Sequence, residues 1–139
     1  MKIWFGYGSE HSSNIVLIGR FKTLQDAEGA LELLKQAEAL ATREYEAGRL
    51  ETIEHRANIP NDVMEFIKAR NFYTLTLKDL TELIYEFHPK LVDSTLVITT
   101  NEYDVGAFIK IMTERNAKVE VYSAHDYPSQ YGRQTYRGD

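Results

Sequence analysis

The sequence predicts an α+β fold: a two-layer sandwich in which a mixed sheet of four or five strands carries helices mainly on one face. Three observations lead to this prediction. Two strand-like runs open the chain at residues 2–8 and 14–21, and a long helical pattern follows at residues 23–47. The last third has the order strand, helix, strand, which is typical of a βαβ unit. A ferredoxin-like arrangement and a three-layer α/β fold are the alternatives.

The first two strands are predicted to form an N-terminal hairpin. Residues 2–8 are rich in aromatic and β-branched side chains, and only polar residues, 9–13, separate them from the second run. Antiparallel pairing would place Trp4 opposite Ile18. The second run is apolar at consecutive positions, which indicates burial on both faces and a central place in the sheet.

A helix is predicted from Thr23, whose hydroxyl suits an N-cap, to a stop at Gly48. Its apolar residues recur at helical spacing, and they are Leu24, Ala27, Leu31, Leu34, Ala41 and Tyr45. Leu31 is expected to be a core residue. The opposite face, which includes Glu32 and Gln36, is predicted to face solvent.

The middle of the chain has weaker signals. Residues 49–60 have no clear period, and Asn61 is predicted to cap a short helix that buries Val63, Phe66 and Ile67. Residues 72–75 resemble a short strand. Thr76 then has the pattern of a cap for a helix that runs to about residue 87, with His88 at its C-terminal end beside a proline.

The C-terminal third has the clearest pattern. A strand at 95–100, a helix capped by Asn101 and a strand at 118–122 predict parallel strands joined by a crossover. Phe108 is expected in the core, and alternation in the last strand indicates one solvent-facing side. Residues 1–127 are predicted to form one domain, and residues 128–139 a polar tail.

Composition excludes several function classes. The chain has 139 residues, a formal net charge of −5 and no cysteine, so disulfides, thiolate catalysis and cysteine-ligated metals are excluded. The negative charge disfavours nucleic acid, since Arg133 and Arg137 make only a weak basic patch. No apolar stretch is long enough for a membrane span, and no signal-peptide pattern is visible, so we expect a cytoplasmic protein without membrane contact.

Two segments that follow strands concentrate reactive polar groups and predict one polar cleft. The candidate residues are Tyr7, Ser9, Glu10, His11, Ser12, Ser123, His125, Asp126 and Tyr127. Each histidine has an adjacent carboxylate, as in an acid–base pair or a divalent-metal site. No close-spaced ligand motif is present, so no metal is expected, although His11 and His125 are the candidates. The cleft forms only if the first and last strands run parallel, which would bring both loops to one edge.

The opening, MKIWFGYGSEHSSNIVLIGRF, resembles a family of small bacterial proteins of unknown function, with a weaker similarity near residues 121–125. The resemblance implies a bacterial, cytoplasmic source. It implies no activity, cofactor or site residue.

The sequence favours a small binding or regulatory module over an enzyme, because no complete catalytic motif is present. Gly6 and Gly8 lack the third glycine and the following helix of a dinucleotide-binding loop. The many aromatic residues favour a homodimer with a further protein or small-molecule partner. The alternative is a small enzyme or metal-binding protein that uses the His11 and His125 loops.

Overall fold

The computed structural model describes residues 2–3, 15–52, 59–100 and 105–123. The strands are β1 (Lys2–Ile3), β2 (Ile15–Arg20), β3 (Phe87–Val92), β4 (Thr95–Thr100) and β5 (Lys118–Ser123). The helices are α1 (Leu24–Glu46), α2 (Asn61–Arg70), α3 (Leu77–Glu82) and α4 (Gly106–Thr113), with a 3₁₀ turn at Arg49–Thr52. This content confirms the α+β class.

The sheet has five strands in the order β1-β5-β2-β4-β3. Strand β2 is antiparallel to β4 and β5, β3 is antiparallel to β4, and β1 is parallel to β5. If β1 and the small helices α2 and α3 are set aside, the order β2-α1-β3-β4-α4-β5 and its strand arrangement are those of a ferredoxin-like fold. The ferredoxin-like alternative therefore describes the sheet, with β1 added at one edge.

The predicted N-terminal hairpin is wrong. Strand β5 lies between β1 and β2, and both edges of β2 are occupied along its whole length. Ile18 pairs with Val97 and Glu120, and its predicted partner Trp4 lies outside the described residues. A short polar link favours local pairing, but the apolar β4 and β5 occupy the two edges of β2 instead.

The two strands of the predicted βαβ unit run parallel, as predicted. Strands β4 and β5 are both antiparallel to β2, so they run parallel to each other, but β2 lies between them. Valines Val119 and Val121 of β5 are buried, whereas Lys118 is exposed, as the alternation predicts. Phe108 of α4 is 1% exposed, which confirms it as a core residue.

Helix α1 begins as predicted, because the Thr23 hydroxyl accepts from the backbone N–H of Asp26 at 3.0 Å. It ends before Gly48, whose φ of 75° suits a residue without a side chain. Its buried face is rotated from the predicted stripe. Leu24 and Tyr45 are about half exposed, Leu31 is only partly buried, and alanines and Leu40 take the core positions.

The region around residue 87 was misread as the end of a helix. Helix α3 stops at Glu82, and His88 and Pro89 lie in β3 rather than at a helix terminus. Strand β3 is the sheet edge, where the missing N–H of proline is tolerated. Residues 72–75 form turns rather than a strand. Helix α2 buries Val63, Phe66 and Ile67 as predicted, although its N-cap is Pro60.

The four helices of the described residues pack on one face of the sheet. Alternate residues of β2, β4 and β5 join the buried side chains of these helices in a single cluster. Val16, Ile18 and Val97 form a second cluster on the opposite face, with Tyr122 packed against it. Burial on both faces of β2 confirms its predicted central position.

Candidate functional site

The sequence-predicted cleft falls almost wholly outside the described residues. Of its nine residues only Ser123 is described; it is buried at the end of β5 and pairs with Ile15 of β2. Strands β1 and β5 do run parallel, which is the condition on which the prediction depends. Whether the two histidine loops meet stays a prediction.

The described ranges contain no group of three or more histidine, aspartate or glutamate side chains placed to hold a metal ion. Among their helices, none combines the length and the apolar character that a membrane span requires.

Asp79 of α3 is a buried carboxylate with three partners. Its Oδ2 accepts from the Thr76 backbone N–H at 2.8 Å and from the Thr76 hydroxyl at 3.0 Å, which completes a capping box at the start of α3. The same oxygen accepts from Lys110 Nζ of α4 at 2.7 Å. Lys110 also donates to the Thr74 carbonyl at 2.9 Å, so the charge of Asp79 is compensated and α3 is tied to α4.

Glu82 lies one turn further along α3 and is also buried. Its Oε1 accepts from the Ala107 backbone N–H at 2.8 Å, in the first turn of α4. A carboxylate at a helix N-terminus satisfies an otherwise unpaired donor and complements the helix dipole. Its Oε2 is 3.2 Å from Lys78 Nζ. Both acidic groups of α3 are thus used to position α4.

Glu44 of α1 is a third buried carboxylate, with no exposed side-chain surface. Arg49 binds it with two hydrogen bonds of 2.7 Å, through Nε and Nη2. These hydrogen bonds lower the pKa of Glu44 below its usual 4.5, and burial opposes the change. Because Arg49 is 44% exposed, the pair lies at the protein surface, where it fixes the turn after α1.

A groove of about 270 Å³ lies on the helical side of the molecule. Helix α1 lines it with one face, namely Gly29, Glu32, Leu33 and Gln36, which are spaced so that they share a side of the helix. Arg70, the last residue of α2, forms another wall. Glu114 and Arg115, which directly follow α4, complete the lining.

Arg115 lies against α1 at Gly29. A Cβ atom at position 29 would stand 2.5 Å from Nη1 and 2.7 Å from Cζ of Arg115, so the guanidinium occupies the space that any larger residue would fill. The chain after α4 is fixed by Asn116, with φ of 60° and a bond from its N–H to the Thr113 carbonyl. Glycine inside a helix costs about 0.5–1 kcal/mol relative to alanine, and here it makes room for a cation.

Arg70 differs from Arg115 in having its guanidinium engaged by neutral groups. Its Nε donates to Gln36 Oε1 at 2.9 Å, and its Nη1 donates to the Phe66 carbonyl at 3.4 Å. Its Cζ lies 3.9 Å from the centroid of the Phe66 ring, a cation–π contact. These contacts fix Arg70 at the side of the groove. No carboxylate in the described ranges pairs with it, and the amide NH₂ of Gln36 remains a donor.

The remaining charged side chains of the groove have no partners among the described residues. No hydrogen bond or ion pair engages the side chains of Arg115, Glu32 or Glu114 in the part of the chain that the structure describes. All three are exposed. The groove therefore presents both charge signs beside the apolar Leu33, an arrangement that can bind a small polar molecule but that contains no nucleophile–base pair.

Sequence reasoning missed this groove, because Glu32 and Gln36 lie on the face of α1 that was predicted to be merely solvated. Its three walls are also far apart in the sequence. Gly29 was the available signal, since a glycine in the middle of a long helical pattern often marks a close approach by another group.

Comparison with known proteins assigns the chain to a family but not to an activity. The model of a family described as a family of unknown function, DUF6375, matches residues 1–134, so the chain belongs to that family. No curated protein and no solved structure matches the chain.

Proposed function

We propose that this DUF6375 protein is a small-molecule binding module, and that its groove recognises an acidic group of the ligand through Arg115. The observation that carries the proposal is the guanidinium of Arg115, which lies over Gly29 without a hydrogen bond or ion pair in the described part of the chain. A guanidinium binds a carboxylate or phosphate with two parallel hydrogen bonds, and such charge-assisted bonds are stronger than neutral ones.

The size of the groove supports a small ligand. Its volume is about 270 Å³. Typical cofactor pockets are larger, about 300–1,000 Å³. The absence of a nucleophile beside a base among the groove residues supports binding rather than catalysis.

The experiment is an NMR titration with N-acetylglycine, a small carboxylate without a free amine. We expect the Nε–Hε signal of Arg115 and the backbone amides of Gly29 and Leu33 to shift together and to saturate. Arg115→Gln should weaken binding about tenfold, since a charged hydrogen bond contributes about 1.5–3 kcal/mol.

Arg43→Gln is the matched control, because Arg43 is an exposed arginine of α1 outside the groove, 3.9 Å from Asp62. It should leave the affinity unchanged. Shifts at Arg43 as large as those at Arg115, or equal affinities for the two variants, would mean that the carboxylate binds nonspecifically and would reject the proposal.

We further infer a bacterial, cytoplasmic protein that works as a homodimer. The absence of cysteine suits a reducing compartment, and Tyr45, Tyr73 and Tyr85 are all more than half exposed. Exposed tyrosines are enriched at protein interfaces. Sedimentation equilibrium tests the dimer, and a monomer mass at all concentrations would reject it.

The alternative of an enzyme that uses the His11 and His125 loops is supported by the parallel course of β1 and β5. Strands that run parallel send their C-terminal ends to one edge of the sheet, where open sheets bind ligands. If the imidazoles share a site, His11→Ala should shift the NMR-measured pKa of His125, and an unchanged titration would remove this alternative.

A further inference from the structure

We infer that the ligand of the groove is a zwitterion, of the size and chemistry of a free amino acid. This inference rests on the proposed function and extends it from one charged group to two. Its basis is the pair of carboxylates, Glu32 and Glu114, which line the same groove as Arg115 and are equally without partners in the described ranges.

The charged side chains of the groove are placed so that they can bind the two ends of a zwitterion separately. Arg115 covers Gly29, and Glu32 lies three residues further along the same face of α1. Side chains at this spacing are neighbours on a helix, about 5–6 Å apart at Cβ. The carboxylate of Glu32 nevertheless makes no ion pair with the guanidinium, so a ligand can place an acidic group at one and an ammonium group at the other.

The charge balance also favours a zwitterion over a simple anion. The groove contains two guanidiniums and two carboxylates, which sum to zero formal charge. The whole chain carries a net charge of −5, so a free anion is repelled at long range whereas a neutral zwitterion is not. A zwitterion can form charge-assisted hydrogen bonds through its carboxylate and through its ammonium group, whereas a ligand with one charge can form them at one end only.

The apolar part of the groove favours an amino acid with an aliphatic side chain. Leu33 lines the groove from α1 and is partly buried against the core. An aliphatic side chain of the ligand can cover Leu33 while the charged groups of the ligand bind Arg115 and Glu32.

The experiment compares three related probes by NMR titration of the full chain. L-Leucine has both charges, N-acetyl-L-leucine has only the carboxylate, and L-leucinamide has only the ammonium group. We expect L-leucine to bind about tenfold more tightly than either blocked probe. Glu32→Gln should reduce the affinity for L-leucine to that for N-acetyl-L-leucine, whose own binding should not weaken. Glu46→Gln, an exposed glutamate of α1 outside the groove, is the matched control and should behave as the wild type.

The outcomes separate the two proposals. If N-acetyl-L-leucine binds as tightly as L-leucine, the zwitterion inference is rejected while the anion-binding function stands. If no probe shifts the Arg115 signal, the proposed function itself fails. If the groove signals shift with protein concentration alone, the groove binds a second copy of the chain, and the inference is also overturned.

Discussion

The charged groups that bind α4 within its length differ in burial and in partners from those beyond its C-terminal end. Glu82 and Asp79 of α3 are buried; Glu82 accepts from the Ala107 backbone N–H in the first turn of α4, and Asp79 binds the Lys110 ammonium group in its last turn. Beyond its C-terminal end, Glu114 and Arg115 are exposed and have no partners among the described residues. A buried charge must be compensated or the fold loses stability, whereas a charge in an open groove remains free to bind a ligand. The first group holds the helix in place, and the second provides the candidate binding site.

The largest effect is expected where the charges are buried. Lys110→Met retains the aliphatic stem but removes the cation 2.7 Å from Asp79, which is 4% exposed. Loss of one partner from a buried pair costs about 3–5 kcal/mol, and since Lys110 is partly exposed we expect about 2–3 kcal/mol. Urea denaturation measures this change.

Lys118→Met provides the control for that measurement. Lys118 is an exposed residue of β5 without a side-chain partner in the described part of the chain, and its substitution should change the stability by less than about 0.5 kcal/mol. Equal denaturation midpoints for the two variants would show that the α3–α4 contacts do not fix α4 and would remove the contrast between these contacts and the exposed charges beyond the helix.

A smaller, pH-dependent effect is expected at Glu44. Its pKa is lowered in the folded protein by the hydrogen bonds from Arg49, so at acid pH the unfolded chain binds more protons than the folded one. The contribution of Glu44 is therefore present above about pH 4.5 and is lost as the pH falls below that value towards the lowered pKa.

Glu44→Gln should destabilise the protein by about 1–2 kcal/mol at pH 7, because one partner of a buried hydrogen-bonded pair is altered. The difference from the wild type should shrink as the pH falls below 4.5. Denaturation midpoints measured from pH 7 to pH 3 check this, with Glu46→Gln as the exposed control. A difference that stays constant over this range would contradict the role of the carboxylate charge.

These contrasts also explain what the sequence could and could not predict. Local signals were sufficient for the Thr23 cap, the Gly48 stop and the alternation around Val119, because each depends on neighbours within a few residues. The hairpin was wrong because pairing of β2 with β4 and β5 is a long-range choice that the short polar link does not determine. Strand β3 was missed because Phe87 continues the apolar spacing of the preceding helix.

The groove was beyond sequence reasoning for the same physical reason as the strand order. Gln36 lies on α1, Arg70 on α2 and Arg115 just after α4, so they meet only after the helices pack. Buried Glu44 was equally unforeseen, since its counter-ion Arg49 lies beyond the helix end that Gly48 marks.

The smallest change in stability, and the sharpest test of the groove, is expected from Gly29→Ala. The new Cβ would stand 2.5 Å from Arg115 Nη1, but the guanidinium ends a flexible side chain and can move away. Alanine favours a helix interior by about 0.5–1 kcal/mol over glycine. The variant should therefore be as stable as the wild type or slightly more stable, while its affinity for N-acetylglycine should fall as it does in Arg115→Gln.

Gly29→Ala can also be made together with Arg115→Ala. The double variant contains no guanidinium for the new Cβ to displace, so it separates the effect of helix propensity from the effect of the steric clash with Arg115. In the Arg115→Ala background, Gly29→Ala should raise the free energy of unfolding by the full amount of about 0.5–1 kcal/mol expected from helix propensity. In the wild-type background the increase should be smaller, because part of it is offset by the cost of moving Arg115. A double-mutant cycle from urea denaturation measures this coupling. If Gly29→Ala stabilises both backgrounds equally and leaves the carboxylate affinity unchanged, the space over Gly29 does not position Arg115. The unpartnered end of α4 would then be an ordinary solvated surface.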